Sequence, residues 1–233
     1  MTEGEIFSNS EGSTSEPTER FAIGEIMAEA WGLTKGSKSL LLQGYSLVVV
    51  TSVFVIVGLH WAGGVSFSDS DDRFGNNLIS AINSLIVGPL FAGLLLYSIK
   101  RARHDPAQGW SDVFAPYSRM FSLYGLQILL IVLVIIGTIL LILPGLYLVF
   151  AYGMAVPLWV DQRLGIWESL ETSRKTVSKV WFRYFGLISA TTLLSFLGGL
   201  LTLGIGLIWI LPWAFLVHGV AYRRIFGSST TRP

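Results

Sequence analysis

The chain has no cysteine, and only 13% of its residues are charged. Without thiols there is no disulfide framework, no thiolate zinc or iron–sulfur site and no cysteine nucleophile, and redox chemistry says nothing about compartment. The scarcity of charge is more telling. Residues 127–160 read QILLIVLVIIGTILLILPGLYLVFAYGMAVPLWV, without one Asp, Glu, Lys, Arg or His. A helix in water keeps a polar stripe, and no face of this run is polar. One bilayer crossing takes ~20 apolar residues, so the run is too long for one span and suits two joined at Pro144-Gly145. P-loop, HExxH and GxGxxG patterns are also missing, and no pair of carboxylates falls within an apolar stretch. The expectation is a protein that is not an enzyme and carries no cofactor or metal.

What the chain does contain is apolar: 52% of it is hydrophobic and the mean hydropathy is +0.61. Those values suit a multi-spanning membrane protein. Residues 1–20, rich in Ser, Thr, Glu and Gly, read as a disordered tail with no signal-peptide core. A polar tail, 227–233, closes the chain. Between them the expectation is one all-α, polytopic membrane domain over 21–226. It has six transmembrane helices in three hairpins, each hairpin preceded by an amphipathic interfacial helix. The spans are about 40–59, 78–99, 122–143, 145–160, 184–203 and 205–222. Interfacial segments precede the first, third and fifth. In the first, Ile23, Ile26, Met27, Ala30 and Trp31 share a helical face; in the last, Ile166, Leu170, Val177 and Trp181 do.

Six crossings place both termini and the 100–120 and 161–183 loops on one side. Of the 16 Lys and Arg residues, all but Arg73 then lie there. The positive-inside rule makes that side cytoplasmic, with both termini in the cytoplasm. A repeat supports the three-unit division into 21–104, 105–163 and 164–226. Ile136-Gly137 leads to Leu143-Pro144, Ile205-Gly206 leads to Leu211-Pro212, and Gly88-Pro89 is a weaker echo.

Candidate functional residues are few. All 16 basic and 15 acidic residues fall outside the spans or at their ends. His218, inside the sixth span, is a proton-linked gate or a neutral imidazole bonded to a nearby carbonyl. With Asn83 and Gln127 it makes a candidate intramembrane polar site; Gln43 and Thr191 are further polar points. Pro89, Pro144, Pro157 and Pro212 either free carbonyls for a substrate or simply start and kink helices. Asp69, Asp71 and Asp72 with Asn76 and Asn77 lack the EF-hand order and read as a solvated loop. Arg101, Arg103, Arg174, Lys175, Lys179 and Arg183, beside Trp110, Trp167, Trp181 and Phe182, are candidate contacts for lipid headgroups. Membrane lipids are therefore the expected partners, with a membrane protein or a second copy as further partners and no nucleic acid.

The C-terminal third carries a family likeness. PLWVDQRLGIWESLETSRKTVSKVWFRYFGL and LLTLGIGLIWILPWAFLVHGVAYRRIFG resemble the YciC-type bacterial membrane proteins of unknown function. They also resemble the membrane domain attached to some glycerophosphoryl diester phosphodiesterases. The likeness rests on Pro157, Asp161, Leu164-Gly165, Ser169, Ser173-Arg174-Lys175, Thr202 to Gly206, Pro212 and Tyr222-Arg223. AWGLTKGSKSLLLQ and ILLILPGLYL fit the same style. The resemblance implies a six-helix membrane protein without an assigned activity; the phosphodiesterase catalytic domain is a separate module and does not carry over. The functional expectation is a scaffold or accessory protein in envelope or lipid homeostasis, with a small permease or transporter of a lipid or solute as the alternative.

Overall fold

A computed structural model describes residues 21–63, 73–106 and 109–227, Gly63 and Arg73 by their backbone alone. The N-terminal tail, the Asp69 to Asp72 cluster and residues 228–233 lie outside the described residues. Among the described residues every regular element is helical. In chain order these are α1 (Ile23–Leu33), α2 (Lys38–Gly63), α3 (Arg73–Ala102), α4 (Trp110–Phe114), α5 (Met120–Leu140), α6 (Ile142–Ala151), α7 (Ala155–Gln162), α8 (Ile166–Val177), α9 (Trp181–Leu201) and α10 (Leu207–Phe226). Short 3-10 turns, Ala115–Arg119 and Ser178–Val180, join α4 to α5 and α8 to α9. The second and third interfacial segments are therefore continuous with the helices that follow them. Only α1 is set apart, by a turn in which Gly36 has φ +92°.

Five stretches are long and apolar enough to cross a membrane: Lys38–Ala62, Phe74–Ala102, Trp110–Leu140, Ile142–Gln162 and Ile166–Leu201. Only 11% of the first one's most apolar window is buried within the protein, so nearly all of that oily surface faces outward. The sequence leads one to expect six such stretches, and α10 is the exception. Pro212, His218, Arg223 and Arg224 lower its hydropathy, yet from Pro212 to Tyr222 it is largely enclosed. Trp213, Phe215, Leu216, Val217, Val220, Ala221 and Tyr222 are all buried. The reason is its place in the packing. α10 lies between α3, α1, α9 and α2, so beyond its exposed first turn, Leu207 to Trp209, protein covers most of it and uniform apolarity is not required.

Two glycines set how closely this centre packs. A Cβ on Gly219 would stand 2.4 Å from the Ser98 carbonyl oxygen, so α10 presses its backbone on α3. A Cβ on Gly93 would come within 2.0 Å of the Val113 carbonyl oxygen, which brings α4 against the same helix. Small residues are how helices approach closely where no hydrophobic effect drives them together.

The turn between α5 and α6 differs from the expected Pro144-Gly145 joint. The chain reverses at the extended residue Leu141 (φ −163°, ψ 144°), and Pro144 sits inside the first turn of α6. A first-turn position has no helical acceptor for its N–H, so proline costs nothing there. The expected span 145–160 is also not one helix: it breaks at Tyr152 to Met154 into α6 and α7. The α9 to α10 turn uses Leu203 (φ 51°) and Gly204 (φ 88°), and Gly206 N donates to Thr202 Oγ1 at 2.8 Å. Leu141, Ile142, Leu143, Leu203 and Ile205 are all exposed, Leu203 to 91%, with no charge among them.

Replacing Gly219 by Ala forces a methyl group against backbone and should lower stability by about 1–3 kcal/mol. Gly32→Ala, with nothing near its Cβ, should be neutral or stabilising by up to about 1 kcal/mol. Thermal unfolding in detergent checks both, and equal midpoints for the two variants would contradict the α3–α10 contact.

Candidate functional site

Proline shapes the inner surface of α3. Pro89 has no N–H to give the Leu85 carbonyl, one turn back along the helix. The Tyr124 hydroxyl of α5 donates to that carbonyl instead, and the Tyr117 hydroxyl donates to Ile86 O at 2.5 Å. The carbonyl freed by Pro89 is thus occupied by protein and is not left for a substrate. At the α6–α7 break the same need arises. Ser173 Oγ of α8 donates to Ala151 O at 2.7 Å, and a Cβ on Gly153 would lie 2.8 Å from the Tyr184 hydroxyl.

These irregularities leave space between the helices. A cavity of about 480 Å³ is bounded by Tyr45 of α2, by Gly88, Phe91, Ala92 and Leu95 around Pro89, and by Gln127 of α5. Gly153, Val156 and Pro157 close it at the α6–α7 break, and Leu211, Ala214, Phe215 and His218 close it from α10. Its size falls within the ~300–1,000 Å³ common for small-molecule sites. The Phe91 and Phe215 rings, 5.1 Å apart, stand together at its wall, and Phe91 is 46% exposed, so the cavity opens sideways out of the bundle.

Three lining residues carry hydrogen-bonding groups. His218 Nδ1–H donates to Ala214 O at 2.9 Å, which leaves Nε2 as an acceptor. Neither the Gln127 carboxamide nor the Tyr45 hydroxyl has a protein partner among the described residues. The structure therefore brings together two of the three residues expected to form an intramembrane polar site. Asn83 does not line the cavity, and its buried Oδ1 has no partner. Tyr45 was missed by sequence reasoning, since an aromatic near the start of an apolar helix carries no sign of which helix it will face.

Charge gathers at the end where α3, α7 and α10 finish. Arg103 holds Asp161 through two bonds, 2.7 and 2.8 Å, with side-chain exposures of only 12% and 8%. The Tyr222 hydroxyl donates to the same carboxylate at 2.7 Å, and Gln162 Nε2 donates to Tyr222 at 3.0 Å. Arg223 binds Glu29 and the Ala102 carbonyl, while Arg224 reaches Glu25 and Glu29, tying α10 to α1 and α3. Lys100 pairs with Asp112 at 2.6 Å, tying α3 to α4. A polar recess of about 170 Å³ lies in this collar, between Lys100, Asp112, Arg119, Asp161 and Arg163. Arg119 is stacked over Trp159, its guanidinium carbon 5.0 Å from the ring centre.

The six basic residues expected at lipid headgroups divide between two settings. Arg103 belongs to the buried pair with Asp161, and Arg101 donates to the Lys35 carbonyl at 2.9 Å. Arg174 and Lys175 pair with Glu171 along α8. Lys175, Lys179 and Arg183 are exposed, next to Phe182, which is 82% exposed. Among the described residues no group of three His, Cys, Asp or Glu side chains could hold a metal.

No protein-family model matches the chain, and no curated protein or solved structure does.

Removing one partner of a buried ion pair strands the other charge. Asp161→Asn should therefore cost about 3–5 kcal/mol. Lys175→Ala, at an exposed pair, should cost about 1 kcal/mol or less. Denaturation in mixed micelles measures both, and a difference under 1 kcal/mol would contradict the structural role of Asp161.

Proposed function

We propose that this integral membrane protein crosses the bilayer six times, as three hairpins, with α10 as the sixth crossing and both termini in the cytoplasm. It acts without catalysis, as a scaffold or accessory protein of envelope or lipid homeostasis in a bacterial inner membrane. Several features support the reading. The ion pairs that join different helices, among the described residues, all lie at one end, where a cytoplasmic surface rich in Lys and Arg would be. Exposed Trp61, Phe54, Phe121 and Ile139 cover the sides, a surface that only lipid solvates well. Lys175, Lys179 and Arg183 with Trp167 and Phe182 suit anionic headgroups at the same interface. Arg101 and Arg174 join them more weakly, being held in part by protein groups.

The observation that carries the accessory role is that Asp, Glu, Lys and Arg are absent from the cavity lining and that its one ionisable group, His218, is held by the Ala214 carbonyl through Nδ1. Ion- and proton-coupled transporters keep such groups on their pathway because coupling needs a charge to move. Transport of an uncharged lipid or solute is the second reading, favoured by the interrupted α6–α7 segment beside the cavity. Kinship with the YciC-type proteins is proposed on the sequence elements alone; several of them, Asp161, Ser173, Tyr222 and Arg223, are bonding groups of the packing described above. Membrane lipids are the proposed partners, alongside a membrane protein or a second copy of the chain.

In intact cells a membrane-impermeant thiol reagent should label Asn77→Cys and spare Lys175→Cys until the membrane is opened. The reverse pattern overturns the orientation. In proteoliposomes an imposed proton or sodium gradient should drive no solute uptake; gradient-driven accumulation abolished by His218→Leu would overturn the accessory role in favour of a transporter.

A further inference from the structure

The cavity beside Pro89 has two features that together specify a kind of occupant. Its wall is almost wholly apolar and opens sideways at Phe91, toward the surface that faces acyl chains. Within it, the Gln127 carboxamide and the Tyr45 hydroxyl have no protein partner among the described residues, and His218 offers Nε2 once Nδ1 has bonded Ala214 O. Uncommitted polar groups at membrane depth are expensive unless something bonds them. Water could do so, but a wall this apolar gives it few further partners. A molecule with an apolar tail and one compact hydrogen-bonding head satisfies both the wall and the polar groups.

The geometry points to a binding site for an uncharged, single-chain amphiphile, a long-chain alcohol or monoacylglycerol, entering from the bilayer past Phe91. Its hydroxyl meets Gln127, His218 and Tyr45, a set able to donate and accept at once. Charge selects against other lipids. No cation lines the cavity to balance a phosphate or a carboxylate, and such a group would lose its hydration without compensation. Volume suits this occupant as well: about 480 Å³ takes one chain with a small head. The inference rests on reading the protein as embedded in lipid, and it adds a ligand class to that reading.

The test uses the full chain purified in detergent and a dodecanol analogue carrying a photoactivatable diazirine. Cross-links should map to α3 and α10 around Ala214 and be displaced by dodecanol at lower concentration than by dodecyl phosphate. Ala214→Phe, which fills the space, should abolish them. Gln127→Leu, which removes no hydrogen bond within the protein, should weaken displacement by dodecanol roughly three- to tenfold, the range for one hydrogen bond. Thermal midpoints near that of the unaltered chain show that both variants are folded. Cross-links scattered over the outer faces of α2 and α5, unchanged by Ala214→Phe, would overturn the site. Equal competition by dodecyl phosphate would overturn the claim that charge is excluded. Either failure leaves the thiol-labelling pattern intact, whereas reversed labelling would remove the membrane reading beneath it.

Discussion

A backbone carbonyl that loses its helical donor in hydrocarbon has no water to turn to, and much of this structure follows from that constraint. Pro89 removes the donor for Leu85, and Tyr124 supplies another from α5. The α6–α7 break exposes Ala151 O, and Ser173 takes it from α8. Trp213 Nε1 also donates to Met27 O at 3.1 Å, and Trp181 Nε1 to Tyr147 O at 3.2 Å, so large aromatics add bonds between helices even where the accepting helix is regular. Each such bond crosses between helices. Repairing the backbone is thus also what holds the helices in register.

Charge is handled by the opposite device, concentration. Arg103, Asp161, Tyr222, Arg223, Arg224, Glu29 and Glu25 make one collar that closes α1, α3, α7 and α10 at a single end. Beyond it α10 relies chiefly on shape: Gly219 lets it sit on the α3 backbone, Trp213 adds its bond to Met27 O, and apolar side chains fill most of the rest. The collar and the close contact divide the work, since the ion pairs fix which end meets which and the glycines set the distance. The cavity lies just beyond the collar on the α10 side, where proline and the broken helix prevent the same close packing.

Much of the fold was legible in the sequence because lipid imposes a one-dimensional signal. Residues 127–160 are apolar enough to cross a membrane whatever their partners, and α3 ends within Lys100 to Arg103. The break at Tyr152 to Met154 was less visible. Its trace is Gly153 four residues before Pro157, a spacing that also fits a continuous helix with a kink. Leu141 as the turning point was hidden because nothing in Ile-Leu-Leu-Ile distinguishes one residue from the next. The Arg103–Asp161 pair spans 58 residues of sequence, so pattern alone assigned Arg103 to headgroups, while the structure places it inside. Gln127 and His218 were recognisable as polar residues in apolar runs. That they share a cavity, and that Asn83 does not, depends on helix rotations that composition leaves open.

The central claim is that hydrocarbon surrounds the sides of this helix set, with one end held in the aqueous interface. Spin labels placed singly at Phe54, Ile128, Ile135, Ile139 and Lys175 in lipid bilayers test it most directly, through collision with oxygen and with a water-soluble nickel chelate. The account predicts high oxygen and low nickel accessibility at Phe54, Ile128, Ile135 and Ile139, rising oxygen contact toward the bilayer centre, and the reverse balance at Lys175. Nickel accessibility at Ile128 and Ile135 equal to that at Lys175 would contradict it.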